Sequence, residues 1–239
     1  AVEAGQIALG FWRGAYRRWD KDAGAGPVTE ADLAVNARLE TLLRPARSDY
    51  GWLSEESPDD AARLSARRVF VIDPIDGTRA FIDGHEGFAV CIAVVEAGRP
   101  VAGVVHLPAR GQTYAASADG PATRDGRPIR PAAGRLPGAT VLTAKSALAP
   151  EHWRGGQVPA VQREFRPSLA WRLCLVAEGR FDAALSVRPV WDWDIAAASV
   201  IAAQAGCGTA PTPSPIRRCG GGCSTGSTAS TPRPRPDST

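Results

Sequence analysis

Apolar positions along the chain follow two periods. Ala4, Ile7, Ala8, Phe11, Trp12, Ala15 and Trp19 recur at intervals of three and four, which predicts an amphipathic helix at the start. Residues 20–27 read as a glycine-containing loop. Thr29-Glu30-Ala31-Asp32 then opens a second helix, with Val35, Leu39 and Leu42 on one face and Pro45 beyond its end. Thr29 and Asp32 have the form of a capping box with Asp in place of Glu or Gln.

The period then changes. Val69-Phe70-Val71-Ile72 is a run too short for a helix and predicts a buried strand that breaks at Pro74, which has no N–H to give a ladder. Gly77 and Thr78 open a short helical segment through Phe81. Residues 88–95 and 101–106, separated by Glu96-Ala97-Gly98-Arg99, predict a hairpin. Short strands are expected at 113–116 and 141–143, a helix carrying Leu169, Leu173 and Val176, a strand at 181–186 and a turn at 190–194. Residues 195–205 form a small-residue helix with Asp194 at its N-cap. From Cys207 onward Pro, Gly, Ser, Thr and Arg dominate and neither period survives.

Composition narrows the class. The 239 residues, 44% apolar and 22% charged, suit a globular protein of one large domain or two small ones. A net charge of +3 is too small to argue for a nucleic acid polymer as partner. No apolar run is long enough to span a bilayer and no secretory signal is present, so no membrane insertion is expected. Cys91 and Cys174 sit in apolar stretches and read as buried thiols. Cys207, Cys219 and Cys223 are too loosely spaced, with no His after them, for zinc. A reducing cytoplasm fits this usage. The chain opens on Ala1 inside a helical pattern and contains no Met, so residues are expected to precede it.

The candidate chemistry lies around Pro74. A strand that delivers Asp73 and Asp76 to a helix start bearing the Thr78 hydroxyl suits a hard cation and a phosphate. Elsewhere the plain readings come first. Asp32 is a capping residue, Glu55-Glu56 a solvated acidic turn, and Asp194 a cap worth about 1 kcal/mol. Asp59 and Asp60 read as solvated loop charges, and His85, His106 and His152 as structural or surface histidines.

Asp73-Pro74-Ile75-Asp76-Gly77-Thr78, with Trp52-Leu53-Ser54-Glu55-Glu56-Ser57 before it and Trp193-Asp194-Ile195-Ala196-Ala197 after it, resembles the inositol monophosphatase superfamily over roughly residues 1–206. The resemblance implies an α/β fold with layered α-β-α-β-α sugar-phosphatase architecture. It divides the chain into an N-terminal α+β part at 1–135, a C-terminal α/β part at 136–206 and a low-complexity tail at 207–239. It also implies a Mg2+-dependent, lithium-sensitive phosphomonoesterase with two or three Mg2+ ions and no covalent phosphoenzyme. Glu55, Asp73, the Ile75 carbonyl, Asp76 and Asp194 would be metal ligands, with Glu56 behind them. Thr78, backed by Asp32, would position and help deprotonate the attacking water. Gly77, Thr78 and Asp194 would meet the phosphate.

Ser57-Pro58-Asp59, Ser168-Leu169 and Val176-Ala177-Glu178-Gly179 are similar to 3′(2′),5′-bisphosphate nucleotidases of the CysQ type, which implies 3′-phosphoadenosine 5′-phosphate as the small-molecule substrate. The chain departs from them at Ala144-Lys145-Ser146-Ala147, where they often read Ser-Arg-Ser-His, and at Arg166-Pro167-Ser168, where Gly-Ser is usual. Arg166, Arg172 or Lys145 would then meet a second phosphate, or each is surface charge. Inositol monophosphate and histidinol phosphate remain alternative substrates. A non-catalytic metal- and phosphate-binding relative is the alternative of another class. The family commonly forms homodimers. It normally ends in further strands, so the tail reads either as disordered or as the product of a reading-frame change.

Overall fold

The structure, a computed structural model, describes residues 1–21, 26–133 and 138–208. Helix α1 (Val2–Phe11) leads to an antiparallel ribbon of β1 (Arg18–Asp20) and β2 (Pro27–Thr29), and then to helix α2 (Glu30–Ala46). The first helix is shorter than its periodicity predicts. Arg13 turns to φ +62°, the Gly14 N–H bonds back to Phe11 O, and Trp19 pairs with Val28 in the ribbon with 44% of its surface exposed. Asp20 and Pro27, the ends of the expected loop, are thus strand residues. Pro45 falls inside the last turn of α2 rather than after it, where a missing N–H removes one intrahelical bond near a fraying end. Leu42 is exposed, and Leu43 packs against the core in its place.

Among the described residues the main sheet has seven strands in sequence order. They are β3 (Gly51–Ser54), β4 (Arg68–Asp76), β5 (Ala89–Glu96), β6 (Arg99–Leu107), β7 (Gln112–Ser117), β8 (Thr123–Arg124) and β9 (Arg127–Pro128). Only β3 and β4 pair in parallel; the other neighbours are antiparallel. The expected hairpin is β5–β6, and it turns through Ala97 and Gly98, both at positive φ as a tight right-twisting turn requires. β4 does not end at Pro74. It continues to Asp76 through a register shift against β5 between Asp73 and Asp76, and such a bulge absorbs a residue that cannot donate to the ladder. Helix α3 (Thr78–Ile82) follows at once.

Alternation along β4 sorts the two cores. Phe70 and Ile72 face Ala4, Ala8, Val35 and Leu39 of α1 and α2. Val71 lies in the other cluster, with Leu175 of α4 (Leu169–Ala177) and with Ala197, Ala198 and Ile201 of α5 (Asp192–Ala205). The small-residue face of α5 lets it lie directly on the sheet: a Cβ at Gly103 of β6 would meet Ala197 O at 2.4 Å. A second sheet places β10 (Thr140–Leu142) between β11 (Gln162–Glu164) and β12 (Ala183–Ala184), both parallel to it, and α4 packs against β12. The strand expected at 181–186 is only two residues long, Ala183–Ala184, paired with Val141 and Leu142. The described residues therefore form helices, sheet, helices and a small second sheet. The expected tail beyond Gly208, with Cys219 and Cys223, lies outside the described residues. Among the described residues no helix is long and apolar enough to cross a membrane.

Candidate active site

The capping box at the start of α2 forms as expected and also builds part of the site. The Thr29 N–H and hydroxyl donate to Asp32 Oδ2 at 2.8 and 2.6 Å, and the Asp32 N–H donates to Thr29 Oγ1 at 3.4 Å. This leaves Asp32 Oδ1 to accept the Thr78 hydroxyl at 3.4 Å, while that hydroxyl also contacts Ile75 O at 3.1 Å. Asp32 is 1% exposed, and burial pushes its carboxyl up to about 6 against the opposing bonds from Thr29. A carboxylate that is both a cap and a hydroxyl acceptor satisfies the plain and the functional reading together.

Glu55 lies just past β3, its N–H still paired to Ile72 O at 3.2 Å. A residue that the sequence reading missed holds both glutamates: Lys21 Nζ lies 2.8 Å from Glu55 Oε1 and 2.5 Å from Glu56 Oε1. Burial raises the Glu56 carboxyl to about 7 in spite of Lys21.

Asp73 shares the parity of Val71 and faces the α5 side. It is 2% exposed, and its Oδ1 has no hydrogen-bond partner among the described residues. Burial, then the charges of Glu55, Asp76, Asp194 and Asp32, hold its carboxyl well above the usual range. Asp76 closes β4 against the start of α4. It accepts the Ser168 hydroxyl at 2.6 Å, the Ala170 N–H at 2.7 Å and the Leu169 N–H at 3.3 Å, as an anion suits the free amides of a helix start. Burial still raises its carboxyl above the usual value. Asp194 is not the N-cap of α5. Trp191 is, and Asp194 stands at the third helical position, where its Oδ2 accepts the Trp191 N–H at 2.8 Å. Burial, with Asp76 and Glu55 nearby, pushes it up to about 7.

The structure thus brings Thr78 to Asp32 and sets Asp73 within the field of Glu55, Asp76 and Asp194. Among the described residues no three His, Cys, Asp or Glu side chains already converge on one point as a coordination shell. The donor set nonetheless fits a hard cation. Its oxygens are carboxylates, several with their pKa raised by burial and mutual repulsion, one buried oxygen lacks a donor, and an ammonium already bridges two of them.

A cleft of about 1150 Å³ opens over Glu55, Gly77 and Thr78. Gly77 adopts φ +94°, and a Cβ there would meet Gly87 O at 3.2 Å. Four residues that the sequence left open are placed here. His85 lines the cleft. Lys145 lines a separate hollow with Arg163, although Ser146 borders both. Arg172 lines the cleft, but it is nearly buried and donates to the carbonyls of Arg166 and Pro167. Arg166 is outside the lining and donates to Phe165 O at 2.6 Å. Away from the site, His106 is structural, buried with Nδ1 2.9 Å from Thr113 Oγ1. Asp59 pairs with Arg63 at 2.5 Å and Asp60 caps a short turn at the Ala62 N–H, so neither is merely solvated.

Comparison with known proteins places this geometry. The inositol monophosphatase family profile matches residues 1–229. The 3′(2′),5′-bisphosphate nucleotidase CysQ of Salmonella typhimurium is 33% identical over 223 residues, covering 86% of this chain and 85% of that protein. The histidinol-phosphatase of Mycobacterium tuberculosis is also 33% identical, over 209 residues and 79% and 75% of the two chains. Among solved structures, the extragenic suppressor protein suhB of Bartonella henselae superposes with a TM-score of 0.74 at 26% identity, over 86% of this chain and 82% of that one. This chain belongs to the inositol monophosphatase family and is an enzyme of that family of Mg2+-dependent phosphomonoesterases.

Proposed function

We propose that the chain is a 3′(2′),5′-bisphosphate nucleotidase, cleaving 3′-phosphoadenosine 5′-phosphate to AMP and phosphate in the cytoplasm. The observation that carries the phosphatase part is the pairing of the Thr78 hydroxyl, which lines the cleft, with the buried Asp32 carboxylate. The similarity to CysQ proteins supports the nucleotide.

In this reading Glu55, Asp73, the Ile75 carbonyl, Asp76 and Asp194 hold two or three Mg2+ ions, with Glu56 behind Glu55. Bound Mg2+ supplies charge neutralisation at the phosphoryl group and a lowered pKa for water. The protein's own groups do the rest. Thr78 donates its proton toward Asp32 and Ile75 O, which frees its oxygen lone pairs to accept a hydrogen bond from the attacking water. Asp32, raised to about 6, sits near enough to neutrality to take a proton through Thr78. The left-handed turn at Gly77, followed by a helical Thr78, is the backbone form of an anion-binding nest, and both residues line the cleft, which supports their amides as donors to phosphate oxygens. In the same reading Asp194, with Gly77 and Thr78, would meet the phosphate.

The test is phosphate release with Mg2+ from 3′-phosphoadenosine 5′-phosphate, inositol 1-phosphate and histidinol phosphate, side by side. The expected result is preference for the nucleotide, abolished in Asp76→Asn. Preference for another ester overturns the nucleotide assignment. No release from any, by folded protein, overturns the enzymatic reading in favour of a binding protein.

A further inference from the structure

Part of the cleft's lining is apolar. Phe165 belongs to it with 47% of its surface exposed, which is unusual for a large aromatic side chain. The ring is braced from behind. The Arg172 guanidinium lies 4.5 Å from its centroid and is itself fixed by the carbonyls of Arg166 and Pro167. An apolar face that is open on one side and rigidly supported on the other is a stacking platform. Leu185 and Val187 belong to the same lining and offer a polyol no side-chain hydrogen bonds.

Charge distinguishes the lining further. Arg188 and Arg79 line the same cleft, are exposed, and have no ion pair or side-chain hydrogen bond among the described residues. The cleft's carboxylates besides Glu55 are Asp83 and Glu86, and Glu86 is engaged by Arg110 at 3.2 Å. Each exposed arginine alone is ordinary surface charge. Two unpaired ones on the rim of a cleft that also presents an open aromatic face match one ligand class: a leaving group with a flat ring and an anion of its own.

We propose that Phe165 and Arg188 are specificity-determining residues, Phe165 stacking on the base of a nucleotide leaving group and Arg188 meeting its second phosphate. This rests on the phosphatase reading above and extends it to named side chains. A single-phosphate ester with no ring uses neither.

Steady-state phosphate release with Mg2+ from adenosine 3′,5′-bisphosphate, adenosine 3′-phosphate and glycerol 2-phosphate tests it in wild type, Phe165→Ala and Arg188→Gln. Phe165→Ala is expected to raise KM about tenfold for both nucleotides, with kcat and glycerol 2-phosphate turnover unchanged. Arg188→Gln is expected to raise KM about tenfold for the bisphosphate alone, with Arg188→Lys recovering part of the loss. Calorimetric binding of adenosine 5′-phosphate, weakened in both variants, reads the same contacts without turnover. Both side chains are exposed, so unchanged melting temperatures are expected. Hydrolysis in which neither substitution alters the ratios among the three substrates overturns the inference and leaves the phosphatase reading standing. Hydrolysis of none of the three overturns both.

Discussion

The Ser168 hydroxyl donates to Asp76 Oδ2 at 2.6 Å across 92 residues of sequence, tying the last residue of β4 to the N-cap of α4. The same hydroxyl accepts the Trp171 N–H at 3.0 Å. One side chain therefore caps a helix and orients a carboxylate of the site. Ser168→Ala is expected to cost about 1–2 kcal/mol in stability through the lost cap. It should also release Asp76 to move. Chemical denaturation reads the first effect and the Mg2+ concentration for half-maximal activity the second. A variant that loses stability with its Mg2+ requirement unchanged confines Ser168 to capping.

Thr78 and Asp32 are expected to act as a unit. Thr78→Val keeps the volume and removes the hydroxyl. It should lower kcat by roughly two to three orders of magnitude with little change in KM, as for loss of positioned proton transfer. Asp32→Asn should do the same, and the double variant should be no slower than the worse single one. Thr78→Ser should recover most of the rate. Additive losses in the double variant would separate the two residues.

How much of this was legible in the sequence depends on sequence distance. The capping box at Thr29 and Asp32 spans three residues, and its signal is complete in four letters. The buried strand at residues 69–72 was legible as an apolar run, but which core each side chain faces was not, because the run is apolar on both faces. Lys21 was not legible, because it precedes a stretch with no periodicity and its partners lie 34 and 35 residues away. Ser168 was visible as a residue before a helix, but not as the partner of Asp76. The first helix was overextended because Ala15 and Trp19 continue a spacing that the backbone abandons at Arg13. Asp194 was displaced from cap to third position, since Trp191 caps with backbone alone and leaves no side-chain signal.

Lys21 supplies an internal cation to Glu55 and Glu56, and the Mg2+ proposed at Glu55 would compete with it. Removing one partner of a half-buried pair leaves charge uncompensated. Lys21→Met is expected to lower the melting temperature of protein in chelator and to need less Mg2+ for half-maximal thermal stabilisation. A higher Mg2+ requirement in this variant would mean that Lys21 assists the metal instead of opposing it.

Asp32 also predicts a pH dependence. Its carboxyl is raised from an ordinary value near 4 to about 6, so between those pH values the folded state binds more proton than the unfolded. Stability from this group is full below the unfolded value and is lost as pH rises through about 6. The loss is on the order of 3 kcal/mol. In chelator, the wild-type melting temperature relative to Asp32→Asn should therefore fall between pH 4.5 and 7, and level off above. Parallel curves would remove the buried acid as the cause.

Gly103 tests whether the site depends on how closely α5 lies on the sheet. A Cβ there would meet Ala197 O at 2.4 Å and the Val200 side chain at 2.7 Å. The first is backbone and cannot rotate away, so the helix itself must shift. Ala197 is three residues beyond Asp194, and a displacement there carries Asp194 away from Asp73 and Asp76. Gly103→Ala is expected to destabilise by about 2–4 kcal/mol, as overpacking against backbone does. It should also reduce activity beyond what the unfolded fraction explains. The measurement is specific activity at a temperature where denaturation curves show the variant fully folded. Loss of stability with undiminished specific activity would mean that α5 tilts about its N-terminal end and keeps Asp194 in place. A loss of both, with a higher Mg2+ requirement, would show that the small-residue face of α5 sets the position of the last carboxylate of the site.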